Sequence, residues 1–394
     1  MISNSVGTLT ITPLQRWTGR LLTALPVLVS LLWLGGTFHR TYGPTHYFLT
    51  YQHGFLKRAL LGELLLPLHF ISLHAILAIQ LLIFGTLVAV TYIVFRATLF
   101  GTLEERALAA FLLAAPALLP HFAYLSGDLD SLLYIATVLA VGAFLAMPAA
   151  AATVCAITLS IVALLIHEAF VLLFYPLLLA IMIDLWRRRR LSAGALIAQL
   201  VVIAIVFAAI LHYGKWSVPH PEYLAAAQQR TNMPLEGTVF LVLFSTLRQQ
   251  LHFVAALYTK RLLAGVLLSC LVSLPYFATL VWLMQCALAL RGYLEKMRWA
   301  LLLLLCAPLL LLPLGHDALR WISAICVNVS LFLLYLYIVG SEPAERRALT
   351  AALTTWTTTP LYGALLGYVL ALGAFGIASN RLLTNIGNLL SGHP

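Results

Sequence analysis

Apolar stretches of roughly membrane-crossing length recur along this chain from about residue 21 to about residue 378, and most charged residues fall between them. A bilayer interior offers no water to the backbone, so a spanning chain must satisfy its own N–H and C=O groups as helices or a closed barrel. The runs are rich in Leu and Ala and do not alternate as barrel strands do, which selects helices. Only 9% of residues are charged, against about 25% in soluble domains. The expected fold is all-α: a polytopic transmembrane helical bundle of about eleven spans, with 1–394 forming a single integral membrane domain.

A span needs about 20 residues. The candidates are 21–37, 71–95, 107–125, 131–147, 151–166, 169–186, 192–212, 262–290, 299–314, 321–340 and 360–378. No small-residue cleavage site follows the first run, so it reads as a retained span rather than a signal peptide. The segments 38–70 and 213–261 are shorter on apolar length and read as interfacial. In the first, 59–70 is broken by Gly62, Glu63 and Pro67; in the second, 238–257 has the pattern of an amphipathic helix lying on the membrane.

Arginine distribution sets the sidedness. The run Arg187–Arg190 belongs in the cytoplasm. The N-terminus and the loops at 96–106, 291–298 and 341–347 then fall inside, and 126–131, 167–168 and 315–320 fall outside. Inner acids sit beside inner arginines and read as solvated loop charges. The net charge of +10 fits basic loops at a membrane surface and gives no support to nucleic-acid binding. The five cysteines lie inside apolar runs without metal-ligand spacing, and read as core residues.

Under this topology four features share the extracytoplasmic face: Lys57 and Arg58 with Glu63; Asp128 and Asp130; His167 and Glu168; and His316, Asp317 and Arg320. They hold five of the 13 acids. Ionisable residues at membrane depth are costly and mark function. Structural roles stay open beside this one. Asp128 can cap the following helix, Lys57 and Arg58 can reach lipid headgroups, and 315–321 can be a polar turn. His39, His46, His53, His69 and His74 are scattered and read as interfacial or aqueous. Val171 breaks any HExxH pattern after His167-Glu168. No metal or cofactor is expected, although the acids are compatible with a divalent cation.

Carboxylates, histidines and arginines on one membrane face suit group transfer from a lipid-linked phosphate. A carboxylate deprotonates an acceptor hydroxyl, and arginines hold the leaving phosphate. Glu168, the acid most enclosed by apolar sequence, is the first choice for the base, since desolvation raises a carboxyl pKa. Asp128 or Asp130 is the alternative, and Asp317 orients His316 or pairs with Arg320. Arg58 and Arg320 are the phosphate holders, with Lys57, His167 and His316 as further substrate contacts. No nucleotide-binding glycine loop is present, which fits a donor other than a nucleotide sugar.

The segment Gly54-Phe55-Leu56-Lys57-Arg58-Ala59-Leu60-Leu61-Gly62 resembles the G-F-x-R-R-G-L-x-G stretch of bacterial surface-polysaccharide assembly proteins of the Wzy polymerase-like kind, with Ala59 in place of a Gly. Ser126-Gly127-Asp128-Leu129-Asp130 resembles the acidic second outer loop of GT-C glycosyltransferases. Those enzymes carry a further acid in the first outer loop, where this chain has none between 38 and 58 and only Glu63 beyond. The resemblance implies a bacterial inner-membrane glycosyltransferase or polysaccharide polymerase. Its partners would be a polyprenyl-phosphate-linked sugar donor, a glycan or lipid acceptor, and membrane lipids. A lipid-linked-sugar flippase or other transporter is the rival class, and an assembly scaffold a further one.

Overall fold

The computed structural model describes residues 12–34, 41–52, 54–214, 220–244, 247–289, 294–315, 317–339, 355–357 and 359–374. His316, Arg291, His39, His53 and the loop 341–347 lie outside them. Among the described residues every regular element is helical. Several helices start where a hydroxyl caps the first free N–H groups: Thr12 and Thr102 close capping boxes with Gln15 and Glu105, and Ser72 and Ser192 accept from Ala75 and Ala195.

Four described helices are long and apolar enough to cross a membrane: Leu73–Val94, Ala149–Ile166, Ala193–Tyr213 and Ala318–Val339. A fifth span forms if Leu263–Val272 and Leu274–Leu288 count as one, bent by 56° next to Pro275. Three other apolar runs are interrupted. The 107–125 run divides into Leu103–Leu113 and Leu119–Tyr124, around Pro116 and Pro120. The 169–186 run divides into Phe170–Leu173 and Tyr175–Arg187, just before Pro176. The 299–314 run passes from Leu294–Cys306 into the 3₁₀ stretch Pro308–Leu314. Proline has no N–H and clashes with the preceding turn, so each break frees carbonyls.

At membrane depth those carbonyls need donors from neighbouring helices. Ser323 Oγ donates to Ala117 O at 3.0 Å, Asn328 Nδ2 to Leu173 O at 2.7 Å, and Tyr258 OH to Leu312 O at 3.1 Å. Two of these donors lie on Ala318–Val339. This helix is the hub of the bundle: 83% of its apolar window is buried, against 17–33% for the other three long helices.

The hub helix is also anchored at its far end. Tyr335 OH donates to Asp184 Oδ2 at 3.0 Å, which Arg188 Nε also contacts at 2.8 Å. Tyr337 OH donates to Glu105 Oε1 at 2.9 Å. The expectation that inner acids are solvated loop charges is therefore corrected for these two, which are buried. Their neighbours in sequence are arginines, but their neighbours in space are tyrosines from a distant helix. A rise of 1.5 Å per residue separates Arg320 from Tyr337 by about 25 Å along the axis, close to a hydrocarbon thickness of about 30 Å.

A cap covers the Arg320 end. Residues 41–71 and 220–244 share a second core that includes Tyr47, Phe48, Leu49, Ile71, Tyr223, Met233 and Phe240. Tyr223 OH accepts from Thr50 N–H at 2.6 Å, Thr45 Oγ1 from Glu236 N–H at 2.9 Å, and Arg230 O from Ile71 N–H at 2.8 Å. Within the amphipathic stretch expected over 238–257, the described residues are helical at Gly237–Phe244 and Leu247–Leu257. The first buries Val239, Phe240 and Leu243 against the cap. An apolar helical face reads the same from sequence whether lipid or protein covers it.

Candidate functional site

The motif at 54–62 is a backbone device that aims Arg58. Gly54 and Arg58 both adopt positive φ, 110° and 66°. A Cβ on Gly62 would run into the Leu49 carbonyl, so only glycine permits this approach. The left-handed conformation costs a non-glycine residue about 1–2 kcal/mol, and the contact it delivers offsets this. Arg58 Nε lies 2.9 Å from Glu168 Oε2 and 3.1 Å from Oε1, and Nη2 lies 2.6 Å from Oε1. Lys57 Nζ stands 3.8 Å from Oε1. The Arg58 and Glu168 side chains are 10% and 13% exposed.

This pairing changes the reading of Glu168. Burial is the largest single influence and would raise its carboxyl pKa, but the charges and hydrogen bonds around it, Arg58 foremost, together hold it well below the usual carboxylate range. The expectation of a base with a raised pKa is corrected: apolar flanks were visible in sequence, and the arginine 110 residues away was not. Ala169 N–H donates to His167 Nδ1 at 3.1 Å, which places the ring proton on Nε2. Burial and Arg58 lower the His167 pKa and keep the ring neutral. The 3.4 Å approach of Nδ1 to Glu168 is then no ion pair.

A second arm gathers around Arg320, in the first turn of the hub helix. Its Nε is 3.0 Å from Asp130 Oδ2 and its Nη1 3.2 Å from Asp317 Oδ2. The Nε–H is not aligned for a hydrogen bond, so the Asp130 contact is a charge pair. Asp130 is buried, whereas the Asp317 side chain is 40% exposed. Asp130 opens the helix Asp130–Ala146, whose N-cap position is held by Leu129 rather than by Asp128. Gly127, at φ 101°, lets Gln80 close in where a Cβ would sit, and its carbonyl accepts from Tyr47 OH at 3.0 Å. Asp128 is half-buried and packs against Gly43 of the cap.

Tyr42 stands between the arms. Its hydroxyl lies in the field of Arg58, Arg320, Asp317 and Asp128, and Arg58 lies in the field of Arg320. Burial raises the Tyr42 pKa. The structure thus brings Lys57, Arg58, His167 and Glu168 into one cluster, and Asp128, Asp130, Asp317 and Arg320 into its neighbour. Glu63 stands apart, accepting from Tyr51 N–H at 2.8 Å.

His46 was read as interfacial or aqueous; it is instead buried, with Nδ1 3.1 Å from Tyr42 O and 3.2 Å from Gly43 O. Its short helix is part of the cap and packs in the cap's own core, which sequence does not display. Tyr42, Gln80 and His121 also border the site without having been anticipated. Among the described residues no group of three or more His, Cys, Asp or Glu is arranged to hold a metal. Comparison with protein-family models, with curated proteins and with solved structures finds no match for this chain.

Proposed function

We propose that this chain is a membrane-embedded glycosyltransferase or polysaccharide polymerase of the bacterial inner membrane, which takes sugar from a polyprenyl-phosphate carrier at the extracytoplasmic face. The observation that carries the reading is the pair of arginine–carboxylate arms under one cap, at one end of an apolar helical bundle. Arg58 and Arg320 stabilise the phosphate as the sugar–oxygen bond to it breaks. A carboxylate takes the proton of the acceptor hydroxyl as the new glycosidic bond forms. Glu168 is held ionised by Arg58, so its role is to position that arginine. Asp128, half-exposed beside Arg320 and Asp130, takes the base role.

The finer topology belongs to the same proposal: about eleven spans, the N-terminus and 187–190 in the cytoplasm, and 126–131, 167–168 and 315–320 outside. Its support is that the last three segments share one end of the bundle while Asp184 and Arg188 lie at the other. A transport reading draws on the polar residues along the hub helix. However, Ser323 and Asn328 answer carbonyls freed at helix breaks, and Tyr335 and Tyr337 anchor buried acids. These bonds favour a fixed scaffold over a moving path.

The test follows labelled sugar from the lipid-linked pool into surface glycan in cells. Asp128→Asn should reduce product by about 10²-fold or more, and Arg320→Lys should also be damaging because lysine lacks the guanidinium fork. Near-normal product from Asp128→Asn, Asp130→Asn and Glu168→Gln alike, at unchanged protein level, would replace this reading with a transport or scaffold role.

A further inference from the structure

The seam between cap and bundle is only partly closed by its own hydrogen bonds. On the cap side, His46 donates through Nδ1–H to backbone carbonyls, which leaves Nε2 as an acceptor. That atom is sealed from solvent, and no described residue donates to it. On the bundle side, Gln80 Oε1, His121 Nδ1 and Ser126 Oγ are likewise sealed and unbonded. All four surround the two arms. His46 lies in the field of Arg58 and His167, and His121 in that of Asp130 and Arg320. Ser126 and Gln80 flank Gly127, beside Asp128.

Folded proteins pair about nine-tenths or more of their buried polar groups. Unmatched atoms on both sides of one seam mark a surface shaped for a third party. The chemistry of that party follows from the atoms. His46 Nε2 and Gln80 Oε1 accept, Ser126 Oγ can donate or accept, and His121 Nδ1 does one or the other by tautomer, so the partner needs uncharged groups that both donate and accept. Hydroxyl groups meet this need; a hydrocarbon chain offers nothing to them, and a phosphate offers only further acceptors.

We propose that His46 and His121, together with Gln80, directly contact the hydroxyl-bearing sugar ring of the donor lipid, while Arg58 and Arg320 take its phosphate. The inference rests on the glycosyl-transfer reading above. Entry requires the cap and bundle to part along this seam, where Tyr47 OH to Gly127 O is one of the ties.

The test measures binding to the purified protein in nanodiscs. The probes are undecaprenyl phosphate and the same lipid carrying glucose, galactose or mannose. Wild type should bind at least one sugar-bearing probe more tightly than the bare phosphate. His46→Phe and His121→Phe should each weaken that probe about threefold to tenfold, the loss of one hydrogen bond, and leave the bare phosphate within about twofold. His46→Gln should retain the affinity, since its amide oxygen can stand in for Nε2. Equal loss on both kinds of probe, no loss on the sugar-bearing one, or no wild-type preference for it would overturn the proposal and leave the transferase reading standing. Wild type binding no probe would overturn both. If His46→Phe does not fold, His121→Phe carries the same outcomes.

Discussion

Replacing Glu168 by Gln removes the negative charge that Arg58 and Lys57 both approach. Arg58 is buried and held in a left-handed backbone by its surroundings, so it cannot readily turn to water. Orphaning one partner of a buried pair destabilises by about 3–5 kcal/mol. Gln keeps an oxygen that can accept one of the three guanidinium contacts, which puts the loss near about 3 kcal/mol. For a chain of 394 residues that corresponds to about 4 °C in thermal midpoint. Arg58→Gln should be destabilising as well, because it leaves the buried Glu168 carboxylate only the more distant Lys57 as a counter-charge. The double variant should be no worse than either single, because neither member of the close pair is left charged and only Lys57, at 3.8 Å from the Glu168 position, keeps its charge. The assay is thermal unfolding of the four proteins in detergent, arranged as a double-mutant cycle.

The pH dependence adds a check. The carboxyl pKa is depressed in the folded state, so its contribution is complete above the ordinary value of 4.5 and is lost only as pH falls through the lower folded value. The gap between wild type and Glu168→Gln should therefore stay constant from about pH 6 to about pH 8. Additive single effects, or a gap that closes near neutrality, would refute the argument that Arg58 and Glu168 form a coupled buried pair.

Burial, with Arg58 and His167, pushes the His46 pKa down from 6.5 to about 3. The unfolded chain takes up a proton below 6.5 that the folded chain refuses, so wild type should lose up to about 1.4 kcal/mol per pH unit over that range. Unfolding measured at stepped pH should show a shallower slope for His46→Gln; equal slopes would place the ring in water. Gly62→Ala should destabilise by about 1–3 kcal/mol through its clash with Leu49, whereas Gly85→Ala, inside a helix with nothing near its Cβ position, should not destabilise and serves as the control. Tyr335→Phe should cost about 1–3 kcal/mol by leaving the buried Asp184 a donor short; an unchanged unfolding midpoint would show that the bond is not made.

The class of fold was legible because transfer into a bilayer is a sum over a local window. The runs at 73–94, 149–166, 193–213 and 318–339 carry that sum within themselves and form the four described helices long and apolar enough to cross a membrane. Span parity also placed Arg58, Asp128, Asp130, Glu168 and Arg320 at one end, since each crossing reverses the side. The pairings were not legible. Charge and hydrogen-bond energies depend on distances of a few ångström between residues about 100 or more positions apart, as for Arg58 with Glu168. The fate of the broken helices was equally hidden: prolines announce each break, but only packing supplies Ser323, Asn328 and Tyr258 as donors. His46 and Asp184 make the same point from opposite ends of the bundle. Each carries sequence signs of a solvated residue, and each is buried because a remote segment folds over it. Whether a side chain meets water is decided by what covers it, and the covering comes from elsewhere in the chain.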